Sequence, residues 1–216
     1  MDMTRRAVNV ALRRQSVIDC AEALIAASGD TSFSMEELAR HAGVSMQTIY
    51  NQFGSKSSLL FQLLNRTVDE IDLGRSRDRA PDPIDRVFHA VEDVVATYLA
   101  RPQFYRALLR HLFGVDDPVN RPIFIRKGRG FWDRAAAGVF ARWRGCPVTA
   151  DEFADDLLLL TTGALEGWIQ HDFTDDEFRA AMRRGTALRL LALGIPDTRE
   201  MLLATIAAAR AEVRER

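Results

Sequence analysis

The sequence predicts an all-α protein, and three observations predict it. Apolar residues recur at helical spacing along most of the 216 residues, strand-like alternation of β-branched residues is nearly absent, and helix start and stop signals are unusually legible. The expectation is a short N-terminal bundle, residues 1–66, followed by a larger C-terminal helical domain, residues 67–216. About nine or ten helices are expected in all, with no internal repeat.

The first helix is predicted from about Val10 to Ser28, with Val17, Ala21, Leu24 and Ile25 on one face and Gly29 suited to the left-handed residue past its end. Ser34 with Glu37 reads as a capping box that starts a short helix turning Met35, Leu38, Ala39 and Ala42 inward. Gly43 permits a tight turn, and Ser45 caps a second short helix, Met46 to Phe53. Gly54 breaks it. Ser55 then caps a connector helix, Ser55 to Leu73, whose apolar stripe is Leu59, Leu60, Leu63, Leu64, Val68 and Ile71.

The stretch Gly74 to Pro83 is rich in Gly, Pro, Asp and Arg, so the chain is expected to change unit near it. Asp82 as cap and Pro83 as first residue open a helix with Ile84, Val87, Phe88, Val91, Val94, Val95, Tyr98 and Leu99 on one stripe, and Pro102 ends it. Phe104 to Phe113 follows, then a turn-rich stretch from Gly114 to Pro122 and a helix carrying Phe131, Trp132, Ala135, Val139, Phe140 and Trp143. Two more capping boxes, Thr149 with Glu152 and Thr174 with Glu177, start two long helices. Asp197, three before Glu200, suggests a last one.

Composition narrows the function classes. With 29 basic against 30 acidic residues the net charge is -1, so the chain lacks the global positive field of a polybasic binder and any nucleic-acid contact must be local. Cys20 and Cys146 lie far apart and belong to no metal-ligand or redox pair, which suits a reduced, cytoplasmic protein. Residues 1–15 are polar and the longest leucine run, Leu157 to Leu160, is far too short to cross a bilayer; neither a signal peptide nor a membrane partner is expected. No nucleophile elbow, phosphate-cradling glycine loop or Cys/His pair is found, so no enzyme activity and no cofactor are expected. His171 with Asp172, Asp175, Asp176 and Glu177 imitates a ligand set, but an acidic helix start is the cheaper account and no metal is assigned.

Two short helices joined by a glycine turn, after a supporting helix and before a connector, form a helix-turn-helix, whose second helix is suited to a DNA major groove. Ala39 and Val44 keep the helices close, while Ile49 and Phe53 anchor the second and leave Gln47, Thr48, Tyr50 and Asn51 outward. Leu38-Ala39, Ala42-Gly43-Val44-Ser45, Thr48-Ile49-Tyr50, Phe53, Ser55-Lys56 and Leu59 resemble the signature of the tetracycline-repressor (TetR) family, over about Val17 to Leu64.

That resemblance implies phosphate contacts from Thr48, Tyr50 and Lys56, the last at a helix N-terminus, with base reading from Met46, Gln47 and Asn51. Ser34, Ser45 and Gln52 complete the expected DNA-binding set. Gln and Asn bond adenine at two points, so an A·T-containing half-site is expected. The chain departs from the family's usual basic residue at 46, small residue at 47, His at 52 and acidic residue at 57, having Met46, Gln47, Gln52 and Ser57. Residues 1–66 hold only 7 basic against 6 acidic residues, so affinity must lean on local contacts and on an N-terminal arm carrying Arg5, Arg6, Arg13 and Arg14, for which a solvated terminus is the alternative.

The C-terminal part carries 14 of the 18 aromatic residues, which suits an apolar ligand cavity, although most such residues are core. Phe104, Leu108, Phe131 and Trp132, on helices that line the pocket in relatives, are the leading candidates, with Phe113 and Trp168. Gly163 and Gly167 share a helix face near Leu160, and the next helix repeats small and leucine positions at Ala181, Gly185 and Leu188; two such helices per subunit suit a four-helix dimer interface. Packing of the same pair within one chain is the alternative, against the family's habit of dimerising through its last two major helices. The resulting expectation is a one-component transcriptional repressor. It would act as a homodimer on two-fold symmetric double-stranded DNA, released by an apolar or aromatic small molecule; the alternative is a helical lipid-binding or protein-interaction module that keeps the helix-turn-helix as scaffold.

Overall fold

The computed structural model describes residues 2–71 and 80–214, without the side chains of residues 2–7, 9 and 214. Among the described residues all regular structure is helical. In chain order the elements are α1 (Asp2–Ser28), α2 (Met35–Ala42), α3 (Met46–Phe53), α4 (Lys56–Glu70), α5 (Pro83–Ala100), α6 (Pro102–Phe113), α7 (Asn120–Arg142), α8 (Ala150–Ile169), α9 (Asp175–Ala192) and α10 (Arg199–Arg214). None of the described helices is long and apolar enough to cross a membrane.

Most helices start where a capping side chain satisfies an otherwise orphaned backbone N–H. The Ser34, Ser45 and Ser55 hydroxyls accept from the N–H groups of Glu37 (3.0 Å), Thr48 (3.2 Å) and Ser58 (3.1 Å). Thr149 and Thr174 make both halves of a capping box with Glu152 and Glu177, and those bonds hold both carboxyls below their usual range.

Five boundaries differ from expectation. Helix α1 runs from Asp2 rather than Val10, because no Gly or Pro interrupts the stretch and its Met, Arg and Ala residues favour helix. Pro102 opens α6 as well as closing α5, its missing N–H being harmless in a first turn. Helix α7 begins at Asn120, inside the stretch to Pro122 that was expected to be turn, because Asp117 caps it, accepting from Val119 N (3.1 Å) and Asn120 N (2.7 Å). Asp197 is in the left-handed region (φ 61°), so the cap position before α10 falls to Thr198, whose carbonyl accepts from Leu202 N at 3.0 Å. Helix α4 ends at Glu70; Leu73 and Gly74, where the connector and the boundary segment were expected to meet, lie outside the described residues.

The chain divides into two compact units, Met1–Arg66 with Arg101–Phe124, and Thr67–Ala100 with Ile125–Arg216. The expected division at 66/67 assigned everything after it to one domain, whereas α6 and the first turn of α7 fall in the first unit. The cause is packing of α6 on α1. In that unit Val17, Ala21 and Ile25 of α1, Leu38 of α2, Ile49 and Phe53 of α3, Leu59 to Leu64 of α4, and Phe104, Leu108 and Leu112 of α6 are buried. In the second unit, α9 packs on α5, α8 and α10 around Val91, Trp132, Phe153, Trp168, Phe178, Met182 and Leu202.

Candidate nucleic-acid interface

The turn between α2 and α3 is built by a single residue. Gly43 stands at φ 64°, ψ 32°, a left-handed conformation that costs other residues energy, and the N–H of Val44 returns to Ala39 O at 3.0 Å. Helix α3 then leaves the turn with Ile49 and Phe53 fully buried beneath it. Those two anchors fix its rotation, since residues four apart share a helix face. Gln47, Tyr50 and Asn51 consequently face solvent, Tyr50 with 47% of its surface exposed. Met46, Thr48 and Gln52 are half-buried, and Ser34 and Ser45 are exposed at their caps. The Gln47 amide donates to Asn51 Oδ1 at 2.8 Å, joining the two expected base readers, and the Ser45 and Thr48 hydroxyls share a 2.9 Å bond.

Two cations expected to face DNA are turned inward. Lys56 Nζ donates to Phe33 O (2.6 Å) and to Thr31 O, and lies 4.5 Å from the centre of the Phe33 ring. Burial pushes the ammonium pKa down, with the nearby Asp30 opposing. The first helical residue of α4 thus fastens the loop between α1 and α2, which spends two of its three donors. Arg14 likewise donates to Gln52 O (3.1 Å) and to Gln62 Oε1 (2.6 Å), with its guanidinium carbon 5.0 Å from the Phe53 ring centre. It is therefore part of the bundle rather than of a free arm. The Arg5 and Arg6 side chains lie outside the described residues, while Arg13 is exposed.

Three further features of the first unit carry no local sequence signal. Ser57 Oγ donates to Asp117 Oδ2 at 2.6 Å, joining the first turn of α4 to the cap of α7. Asp117 is only 9% exposed, and its bonds from Asn120, Ser57 and Val119 bring its pKa down to about 2. His111, at the end of α6, is held below its ordinary pKa by burial and by Lys56. On α1, Glu22 pairs with both Arg66 and Arg101, and Arg66 also reaches Asp19 at 3.1 Å, around an open cleft of about 370 Å³ floored by Ala23 and Ala26. Each of these pairs joins residues at least 44 positions apart, beyond any periodicity.

The six expected ligand residues are not brought together in one unit. Phe104 and Leu108 are buried and Phe113 half-buried in the first; Phe131, Trp132 and Trp168 are buried in the second. There Phe131 and Trp132 meet edge to face, and Trp168 stacks on Phe178 with its Nε1–H given to Asp175 at 2.7 Å. Of the expected dimer residues, Gly163 and Leu188 are exposed, while Leu160 and Ala181 are half-buried. Gly167 and Gly185 are filled from within the chain: a Cβ at Gly167 would meet the Phe173 ring at 2.8 Å, and one at Gly185 would meet Leu160 at 2.5 Å. The close approach that those glycines permit is therefore intrachain. Leu159, which the sequence did not single out, is 67% exposed one turn from Gly163. Among the described residues no group of three or more His, Cys, Asp or Glu is placed to hold a metal.

Comparison with known proteins adds sequence and fold relatives. Residues 17–63, from α1 into α4, match the family model of bacterial regulatory proteins, tetR family. The HTH-type transcriptional regulator AlkX of Mycobacterium tuberculosis (strain ATCC 25618 / H37Rv) is 38% identical over 65 residues, covering 28% of this chain and 31% of that protein. The chain spans about a third of the length of the curated relatives it matches. Among solved structures, a TetR transcriptional regulator from Rhodococcus sp. RHA1 superposes with a TM-score of 0.68 at 20% identity, covering 83% of this chain and 96% of that one. RolR, solved in complex with resorcinol, gives 0.65 at 17% identity and covers 97% of both chains. The helix-turn-helix segment of this chain thus matches the family model of bacterial regulatory proteins, tetR family, and the chain as a whole shares the fold of solved TetR regulators.

Proposed function

We propose that this protein is a one-component transcriptional repressor that binds a two-fold symmetric DNA operator as a homodimer. The observation that carries the proposal is the α3 surface: Ile49 and Phe53 are buried while Gln47, Tyr50 and Asn51 are presented together to solvent after a left-handed glycine turn. A helix so held enters a major groove by its exposed face. Gln47 and Asn51 read base edges, with Met46 beside them, and Thr48, Tyr50 and the capped helix N-termini at Ser34 and Ser45 contact phosphate. Gln52, half-buried, stays at the edge of this face, and Lys56 supports it from within.

Two half-sites need two copies. The face bearing Leu159, Gly163 and Leu188 on α8 and α9 is the proposed dimer surface, extended by the half-buried Leu160 and Ala181. The effector is a small apolar or aromatic molecule held in the second unit, where Phe131, Trp132 and Trp168 supply aromatic surface; RolR, of similar fold, was solved with such a molecule, resorcinol. Helices α4 and α7 each run through both units and are the covalent route by which effector binding alters DNA binding. Effector and DNA then weaken each other by the same factor.

Selection of bound fragments from a random duplex pool by the purified protein, at stated salt, tests this. The expected result is a two-fold symmetric site whose affinity falls with salt and whose base preference relaxes in Gln47→Ala, one good bidentate contact being worth about 1–3 kcal/mol. No enriched site from protein freed of small molecules overturns the repressor and leaves the lipid-binding or interaction module.

A further inference from the structure

The geometry points to Arg14 as a positioning residue for base reading, which sets the direction of α3 from behind and neutralises no phosphate. The inference rests on the DNA-binding reading above. A basic residue near the start of such a chain suggests a groove or phosphate contact, and Arg14 does something else. Its Nη1 donates to Gln52 O at 3.1 Å, one of the carbonyls that the last turn of α3 leaves without an intrahelical partner. Its Nη2 donates to Gln62 Oε1 on α4 at 2.6 Å. Its guanidinium carbon lies over the ring of Phe53, the buried residue that anchors the end of α3, at 5.0 Å from the ring centre.

One guanidinium therefore joins three helices at the C-terminal end of α3. Two other carbonyls of that turn are taken by the backbone: Tyr50 O accepts from Gly54 N at 2.9 Å and Phe53 O from Ser55 N at 2.8 Å. Arg14 thus satisfies a further carbonyl of that helix end from a different element, and a cation there is favoured by the helix dipole. Pinning the end of α3 opposite the Ser45 cap fixes its axis relative to α1 and α4, and with it where Gln47 and Asn51 meet bases. A planar fork that donates in two directions while lying over a ring is arginine chemistry that lysine does not reproduce.

The test is the affinity of wild type, Arg14→Gln, Arg14→Lys, Gln62→Ala and Arg13→Gln for the duplex selected by wild type. Fluorescence anisotropy is measured across a salt series, at a temperature where circular dichroism shows every protein folded. Arg14→Gln is expected to bind about tenfold or more weakly with the same slope of log affinity against log salt, Arg14→Lys to stay within about threefold of it, and a repeat pool selection with Arg14→Gln to give relaxed base preference. Gln62→Ala, which keeps the Arg14 charge, is expected to weaken binding in the same direction. A phosphate anchor would behave otherwise: the slope would fall by about 0.9 per lost contact, lysine would restore binding, and Gln62→Ala would change nothing. That pattern overturns the proposal, as does an Arg14→Gln protein that melts earlier but binds with wild-type affinity when folded. Arg13→Gln shows what loss of an exposed arginine does to the slope. If wild type itself selects no duplex, the DNA-binding reading fails and the role of Arg14 with it, an outcome distinct from a wild type that binds and a variant that binds equally.

Discussion

At the scale of single residues, a side chain's chemistry predicts what it can bind, and its neighbours decide whether it is available. Arg14, Lys56 and Arg66 are three of the seven basic residues in the first 66, and each is bonded inside the first unit. Asp117 shows the same principle with the opposite charge. Four groups from three residues donate to its carboxylate, so its folded pKa is about 2 against an ordinary value of 3.8. A depressed carboxylate pKa adds stability that is present above the unfolded value and is lost as pH falls through the folded one. Urea unfolding from pH 5 to pH 2 should therefore show wild type losing stability between about pH 4 and pH 2, and Asp117→Asn losing less over that interval. Equal slopes in the two proteins would mean that other carboxylates carry the acid sensitivity.

At the scale of elements, caps and glycines decide where helices end and how closely they pass. Gly43 has nothing within 4 Å of the place where a Cβ would sit, so Gly43→Ala isolates the backbone term. The expected loss is about 1–2 kcal/mol, read from denaturant midpoints, for holding an L-residue in the left-handed region. Gly185 is the converse case, since its φ is ordinary and its space is full: Leu160 occupies it. Gly185→Ala should cost about 1–3 kcal/mol by overpacking α8 against α9. The measurement that matters is whether the proposed dimer dissociates in parallel. A destabilised protein that stays dimeric agrees with Gly185 acting inside one chain. The Thr174 box is simpler, and Thr174→Ala should lower stability by about 1 kcal/mol through loss of the first-turn bond at Glu177.

At the scale of the whole molecule the proposed dimer and its weak charge can be measured together. Leu188→Glu places a charge on a residue 49% exposed in the single chain, so folding should survive. Sedimentation should show monomers, with symmetric-site affinity lost, if the α8–α9 face joins two copies. A variant that remains dimeric removes that face from the interface. The salt dependence of DNA binding should also be bounded. With Arg14, Lys56 and Arg66 engaged internally, the basic residues of the first 66 that could meet phosphate number at most four, Arg5, Arg6, Arg13 and Arg40. Even if all of them served in both copies, the slope would be no steeper than about −7 at about 0.9 per phosphate. A steeper slope would show that basic residues elsewhere in the chain reach DNA.

The sequence by itself determined the all-α fold, the Gly43 turn, the bounds of α2 and α3, and the exposure of Gln47, Tyr50 and Asn51. Each of these depends on interactions within four residues: a serine hydroxyl on the third N–H, an apolar side chain one turn from the next, a glycine where φ is positive. Tertiary structure alone decided that α6 packs with the N-terminal helices, that Leu160 and Phe173 fill the spaces at Gly185 and Gly167, that Ser57 meets Asp117, and that Arg14 and Lys56 are fasteners. Phe104 and Leu108 illustrate why. Their helical spacing announces that they are buried and says nothing about which helix buries them. Pairings such as Arg14 with Gln62 or Ser57 with Asp117 join residues 48 and 60 positions apart. No local periodicity records such a pair, because it exists only once the intervening helices have packed.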